Sequence, residues 1–402
     1  MIRINKKNLF IFIGIFVLNA ANNAGMIPVL GNILQQISNL YFLILVLSFV
    51  CLMYKGKFHY KISSIIIYIL LFNVIYVLSC YVNQGAFGFH QTISLMKRIV
   101  SLIWIDYLTQ KDFNYLFGPI FKAFSCWVVL DSLFTLLYPN GSALFGGVYL
   151  LGGKNNKIQF FFIVSLLFMY QYYTIKDSLK KRKKLMTWFF LSVLMVINAL
   201  LIESSTTALV SILLFSYPFI NRFISKFKIF NFPFFASLHG LLWYIIIIGN
   251  KQVTLLSSIT KALFGKDSTF TGRVYIWNNA LQKISQSLLI GYGDYSIQTV
   301  KLPGNIMAPG YRYDYEWNMA HNQILELFMR GGILLFASWV GILISCFYKK
   351  DKESNISRAA IWSLISFSFF WLMEADILQS IPLLLIFIGT HFSSYMKRGL
   401  YE

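Results

Sequence analysis

Lys180-Lys181-Arg182-Lys183-Lys184-Leu185-Met186-Thr187-Trp188-Phe189-Phe190-Leu191-Ser192-Val193-Leu194-Met195-Val196-Ile197-Asn198-Ala199-Leu200-Leu201-Ile202 is the stretch from which the fold follows. Five consecutive cations stop at Leu185, and the next 18 residues carry no charge. A helix needs about 20 mostly apolar residues to cross the hydrocarbon of a bilayer. Lys and Arg beside such a run stay on the cytoplasmic side. The stretch therefore predicts one membrane-spanning helix and its direction.

The same pattern recurs along the chain. Spans are predicted at 9–26, 37–54, 62–82, 91–109, 116–138, 158–175, 185–202, 206–221, 232–249, 324–348, 358–373 and 377–395. The expectation is an all-α polytopic membrane protein of about twelve helices. Composition agrees: of 402 residues, 57% are hydrophobic and 12% charged, roughly half the charged share of a soluble domain. Cys51, Cys80, Cys126 and Cys346 sit in apolar runs at unrelated spacings, as small buried residues rather than disulfides or metal ligands. The first run has no small-residue cleavage site behind it and reads as a retained helix.

The net charge of +20 is explained by topology. Alternate loops on one side hold 22 Lys and Arg, whereas short loops on the other hold only Lys154 and Lys157. The first side is thus expected to be cytoplasmic, with both termini there, and a nucleic-acid partner is not expected. One connection is long: 250–319, on the external side between the ninth and tenth helices, dividing the chain into 1–249, 250–319 and 320–402. Long loops of this kind carry function. No internal repeat is visible, which argues against a transporter built from repeats.

Within the loop, Val274, Trp277, Leu281 and Ile284 share one face at helical spacing. They predict an amphipathic helix on the membrane surface or over the bundle, capped by Thr271, with Arg273 in its first turn. Gly291-Tyr292-Gly293-Asp294 reads as a helix C-cap rather than a phosphate cradle. Tyr311-Arg312-Tyr313-Asp314-Tyr315-Glu316-Trp317 suits sugar stacking or interface anchoring. Asp314 and Glu316 as a lone pair are a weaker case for a metal than for water or Arg pairing.

His321-Asn322 opens the tenth helix, with Glu326 following. An imidazole there is either a helix-capping interfacial residue or a base for a hydroxyl near neutral pH. Glu203, Glu374 and Asp376 are acids on the same side, suited to orienting a base or a sugar, or plain loop residues. Charges inside spans are costly and point to a bundle interior or a wet cavity. They are Lys97 and Arg98, Lys122 and Asp131, and Arg330; Lys122 and Arg330 read equally as snorkelling. Lys97 and Arg98 suit a diphosphate, or a structural pairing with Asp131. Walker loops, zinc helices and nucleophile elbows are absent from the sequence.

The chain resembles the bacterial O-antigen polymerase and O-antigen ligase superfamily, which includes Wzy-type capsular and exopolysaccharide polymerases. Thr271-Gly272-Arg273…Trp277…Gly291-Tyr292-Gly293 looks like that family's Gly-Arg…Trp…Gly-x-Gly stretch. His321-Asn322-Gln323-Ile324-Leu325-Glu326 with Gly331-Gly332-Ile333 looks like its His-Asn…Leu-Glu…Gly element. Ser204-Ser205-Thr206-Thr207-Ala208 looks like its Ser-Arg-Thr element, with Thr206 where many ligases carry Arg; this departure favours the polymerase branch.

The resemblance implies a GT-C-like glycosyltransferase in the bacterial inner membrane. It would join undecaprenyl-diphosphate-linked repeat units into a surface polysaccharide without cofactor or metal. A flippase and a chain-length regulator are the partners it implies. His321 would be the base, Arg273 and Arg312 would stabilise the departing diphosphate, and Lys97 or Arg98 would assist. Asn322, Glu326, Trp277 and Glu374 would line the substrate. An O-antigen ligase and a lipid-linked oligosaccharide flippase are the alternatives.

Overall fold

A computed structural model describes residues 13–14, 28–56, 59–85, 88–111, 113–141, 149–151, 155, 157–175, 177–224, 226, 231–249, 273–295, 319–347 and 355–375. Its regular elements there are helical: α1 Pro28–Tyr54, α2 Ser64–Gln84, α3 Phe89–Lys111, α4 Phe113–Leu137, α5 Lys157–Thr174, α6 Ser178–Leu201, α7 Ser205–Ile224, α8 Phe232–Trp243, α9 Arg273–Gln286, α10 Gln323–Phe347 and α11 Asn355–Met373. A π-helical turn, Tyr244–Ile248, prolongs α8. All helices but α9 coincide with a predicted span. The predicted spans 9–26 and 377–395 lie outside the described residues, save Ile13 and Gly14.

Among the described residues, five helices are long and apolar enough to cross a membrane: Gly31–Tyr54, Ser64–Gln84, Gly118–Leu137, Ser178–Leu201 and Gln323–Ser345. Ser205–Asn221, Phe232–Ile248 and Arg358–Met373 are shorter apolar helices. The chain is a polytopic helical membrane protein.

α5 is the axis of the bundle. Every residue from Lys157 to Tyr170 is buried, as expected of a helix apolar all round. Its Phe161 and Phe168, seven residues apart and so on one face, sandwich Trp188 of α6 at centroid distances of 5.2 and 4.7 Å. α4, α6, α7 and α11 pack around α5, while α2 packs along α10 and α9 lies across α10.

A buried ion pair ties α5 to α4. Lys157 Nζ lies 3.0 Å from Asp131 Oδ2 and 3.8 Å above the centroid of the Tyr149 ring. It also donates to Thr135 and Asn198. The suggested pairing of Asp131 with Lys97 or Arg98 is therefore corrected. Asp131 is close enough to the end of α4 to meet a cation at the start of α5, so the intramembrane carboxylate needs no partner from α3.

α10 is broken at Gly331 (φ −152°, ψ 15°) and Gly332 (φ 62°, ψ −158°). A break frees backbone groups, which in a membrane need protein partners. The turn after α9 supplies them: Tyr292 N–H donates to Met329 O (2.7 Å), Gly293 N–H to Arg330 O (3.1 Å), and Ile333 N–H to Leu288 O (2.8 Å). A Cβ on Gly291 would stand 2.7 Å from the Gly331 nitrogen, and one on Gly293 2.6 Å from Cys80 Cα. Gly291 and Gly293 are thus points of close backbone approach. α9 ends at Gln286, several residues earlier, which corrects the C-cap reading.

Candidate active site

The described part of the long loop sets α9 over the bundle. Trp277, Ala280 and Ile284 are buried with Ile247, Tyr295, Leu325 and Met329, and Val274 and Leu281 pack at the edge. The predicted apolar face is the one that docks. Its docking brings Arg273, at the first position of α9, to the end of α11. There Arg273 Nη1 donates to Met373 O (2.6 Å), a carbonyl that a helix C-terminus leaves unpaired.

Asn322 works on the same helix end. Its Oδ1 accepts from the Ile324 and Leu325 N–H groups, both at 3.1 Å, the N-cap pattern for α10. Trp243 Nε1 donates to that oxygen as well (3.0 Å). Asn322 Nδ2 donates to Leu372 O (3.0 Å). Asn322 therefore joins the start of α10 to the end of α11, fixing His321 beside Glu374.

His321 Nδ1 lies 3.1 Å from Glu374 Oε2, and Arg273 Nη2 lies 2.5 Å from Glu374 Oε1. The His321 side chain is 35% exposed, against 11% for Glu374. The carboxylate is thus walled in while the imidazole is partly exposed. Burial pushes the Glu374 carboxyl up, but the hydrogen bond with His321, the charge of Arg273 and the Asn155 amide outweigh it and hold the carboxyl below its ordinary value. A carboxylate only accepts, so Nδ1 carries the proton toward Glu374 and Nε2 becomes the ring's basic nitrogen. A carboxylate so placed fixes the tautomer and stabilises the imidazolium that forms on protonation.

The backbone at the site departs from the usual regions. Among described non-glycine residues, positive φ occurs at Glu203 (54°) and His321 (47°). Such strain gathers at functional sites. At Glu203 the cause is local. Glu203 N–H donates to Leu200 O and Ser204 N–H to Ala199 O, a Schellman ending of α6 with glutamate where glycine is usual. Ser204 then caps α7, its Oγ accepting from Thr207 N–H at 3.2 Å. The Ser204 hydroxyl donates to Asn155 Oδ1 (2.5 Å), and Asn155 Nδ2 donates to Glu374 Oε1 (2.5 Å). The Ser204–Thr207 element is thereby joined to the His321–Glu374 pair through a residue the sequence did not single out. The first Asn of a Gly-Gly-Lys-Asn-Asn run carries no signal until its neighbours in space are known.

Glu326 is held in a second network. Its Oε1 accepts from Arg330 Nε (2.6 Å), and its Oε2 from the Tyr295 hydroxyl (2.5 Å) and Ala320 N–H (2.6 Å). Arg330 Nη1 also reaches Asp294 Oδ1 at 2.6 Å, so Arg330 is paired in the interior and does not snorkel. Trp277 is buried under α9. Lys97, half-buried on α3 beside Arg98, bonds Asn39 of α1 rather than any member of the His321 cluster. Arg312, Thr271, Gly272, Asp376 and the 311–317 stretch lie outside the described residues. Among the described residues no group of His, Cys, Asp and Glu suits a metal ion.

Ends of α6, α7, α9, α10 and α11 thus bring one imidazole, one carboxylate and one guanidinium together in a polytopic membrane protein. Residues 190–340 match the family model described as O-antigen ligase. That segment runs from α6 to the middle of α10 and contains Ser204, Arg273 and His321. The match bears out the resemblance to the O-antigen polymerase and ligase superfamily, whose members of this type are enzymes acting on polysaccharides. No curated protein matches the chain.

Proposed function

We propose that this protein is a membrane glycosyltransferase of about twelve helices and GT-C-like architecture. It polymerises lipid-diphosphate-linked oligosaccharide repeat units on the extracytoplasmic face. The observation that carries the reading is the His321–Glu374 pair with Arg273 on the same carboxylate. His321 Nε2 takes the proton of an acceptor hydroxyl. The oxygen attacks the anomeric carbon of the donor's lipid-linked sugar, whose bond to the diphosphate breaks. Undecaprenyl diphosphate departs, and the proton rests on an imidazolium facing Glu374.

Arg273 carries five N–H donors, more than its bonds to Glu374 and Met373 use, so it can also meet charge developing on the diphosphate. Arg312 is assigned to the same charge. Lys97 and Arg98 on α3 are assigned to diphosphate binding, with Asn322, Glu326, Trp277 and Glu374 shaping the substrate site. The diphosphate is itself the activated leaving group, so neither nucleotide nor metal enters this scheme. The Lys and Arg bias of the loops supports a site on the outer side of the cell membrane with both termini in the cytoplasm.

The second reading, an O-antigen ligase, is favoured by the description of the matching family. It differs in acceptor. Thr206, where many ligases carry Arg, supports the polymerase. Glycan sizing in a deletion strain separates them. If single lipid-linked units accumulate and the wild-type gene alone, not His321→Ala, restores long chains, the protein is the polymerase. Loss of a general base costs about 10²–10⁴ in rate, so His321→Ala should leave no long polymer. Lipid-linked polymer that forms but never reaches its final anchor identifies a ligase. Units confined to the cytoplasmic leaflet identify a flippase and end the catalytic reading.

A further inference from the structure

Glu374 Oε1 receives two hydrogen bonds, from the Arg273 guanidinium and from the Asn155 amide. The two donors come from different parts of the chain, one on α9 and one just before α5. The amide is itself oriented. Asn155 Oδ1 accepts the Ser204 hydroxyl, and Ser204 is anchored at the cap of α7 by the Thr207 N–H. An amide that accepts at Oδ1 from Ser204 must turn its N–H donors the other way. Two residues further on, at the start of α5, Lys157 is paired with Asp131 in the core.

We propose that Asn155 is a positioning residue. By holding Oε1 together with Arg273, it fixes the plane of the Glu374 carboxylate and keeps Oε2 on His321 Nδ1. This role rests on the function proposed above. It requires an N–H donor at position 155, and size or polarity alone does not satisfy it.

Asn155→Asp and Asn155→Ala separate the donor from the shape. The Asp variant is nearly isosteric, but at neutral pH it sets one acceptor oxygen against another and turns Glu374 away. A merely space-filling or loop-tying Asn155 would tolerate Asp better than Ala. Among the described residues, the charged groups around this point are Glu374 after α11, Arg273 on α9, His321 before α10, Glu203 just before Ser204, and the Lys157–Asp131 pair. Acidification protonates the crowded carboxyl pair, and the acid O–H then restores the missing donor.

The test is transfer by the purified full-length protein in liposomes, with a lipid-diphosphate-linked repeat unit as donor and acceptor. Asn155→Ala should lower kcat about tenfold, the order of one net hydrogen bond, with KM for the acceptor unchanged. Asn155→Asp should fall further at neutral pH, and its rate relative to wild type should climb as pH falls. The Asn155→Ala ratio should stay level. Should either variant fail to fold, Ser204→Ala reads the same role, since it frees the amide to flip; its kcat should fall and Ser204→Thr should restore it.

The role is overturned if Asn155→Asp matches or exceeds Asn155→Ala at neutral pH with a ratio flat in pH. It is equally overturned if KM alone moves, which would put Asn155 on the substrate. An inactive wild-type protein would end the proposed function and this role with it. An active wild type with indifferent variants ends the role alone.

Discussion

At the residue scale, Glu374 is the member of the cluster whose state reports on the others. Its folded carboxyl is held below its ordinary 4.5, because the bonds from His321, Arg273 and Asn155 outweigh burial. A depressed carboxyl contributes stability that is full above its unfolded value and is lost as pH falls through the lower folded one. Thermal melting of the detergent-purified protein, followed from neutral pH into that acid window, should therefore show wild type losing stability that Glu374→Gln never had. The same variant should lower transfer by up to about 10⁴-fold, the cost of replacing with an amide the carboxylate that sets a general-base histidine's tautomer. An identical acid slope in both proteins would mean the carboxylate is not held as described. His321 and Arg273 were legible in the sequence as chemistry, since each stands in a short motif at a predicted water interface. The partner of His321 was only narrowed to candidates, Glu374 standing beside Glu203 and Asp376 as an acid suited to orienting a base: Glu326 lies closer in sequence, yet it is committed to Arg330 and Tyr295, and the bond goes to Glu374, 53 positions away.

At the scale of elements, the joint between the turn at 288–293 and the break in α10 leaves no room for a side chain. A Cβ at Gly332 would stand 2.3 Å from the Leu289 carbonyl carbon, in a residue at φ +62°. Neither backbone can give way without breaking bonds that satisfy α10 inside the membrane. Gly332→Ala should cost at least about 2–4 kcal/mol, combining overpacking with backbone strain. Gly56 has a similar φ of +61° with nothing within 4 Å of its would-be Cβ, so Gly56→Ala should cost only about 1–2 kcal/mol. Unfolding in detergent measures both, and equal losses would mean the joint is looser than described.

The Lys157–Asp131 pair gives a second contrast between elements. Both side chains are almost wholly buried, and removing one partner of such a pair costs about 3–5 kcal/mol because the other charge is stranded. Lys157→Met should therefore destabilise more than the double change Lys157→Met with Asp131→Leu. The reverse order would show that water reaches the pair. The two glycine motifs were visible as motifs, but their meaning was not, because a close approach between α9's turn and α10 exists only once both are in place.

At the scale of the whole molecule, the outward surface is the evidence of a lipid solvent. Ile67, Leu71, Val74 and Leu78 form one stripe on α2 and remain 46–55% exposed. In water so continuous an apolar face would be an interaction or aggregation patch; against acyl chains it is matched. A charge at the middle of a spanning helix costs about 2.5–3.5 kcal/mol on the insertion scale. Leu71→Lys should accordingly lower the membrane-inserted fraction, read by carbonate extraction. Met53, near the end of α1 and 63% exposed, should accept the same change with little effect. Full insertion of Leu71→Lys would argue that this stripe faces protein.

The sequence by itself determined the helical membrane class and the positions of the described apolar helices, and it carried the expectations for the side on which the loop motifs emerge and for the residue types suited to chemistry. These follow from local quantities: apolar run length, the placement of Lys and Arg, and helical spacing, none of which needs a partner in space. The tertiary structure alone decided which charges pair. It gave Asp131 to Lys157, Glu326 to Arg330, and Glu374 to His321, Arg273 and Asn155. The reason is physical: a charge or strained glycine in a bilayer is viable only with a specific neighbour, and which neighbour arrives depends on how the helices pack.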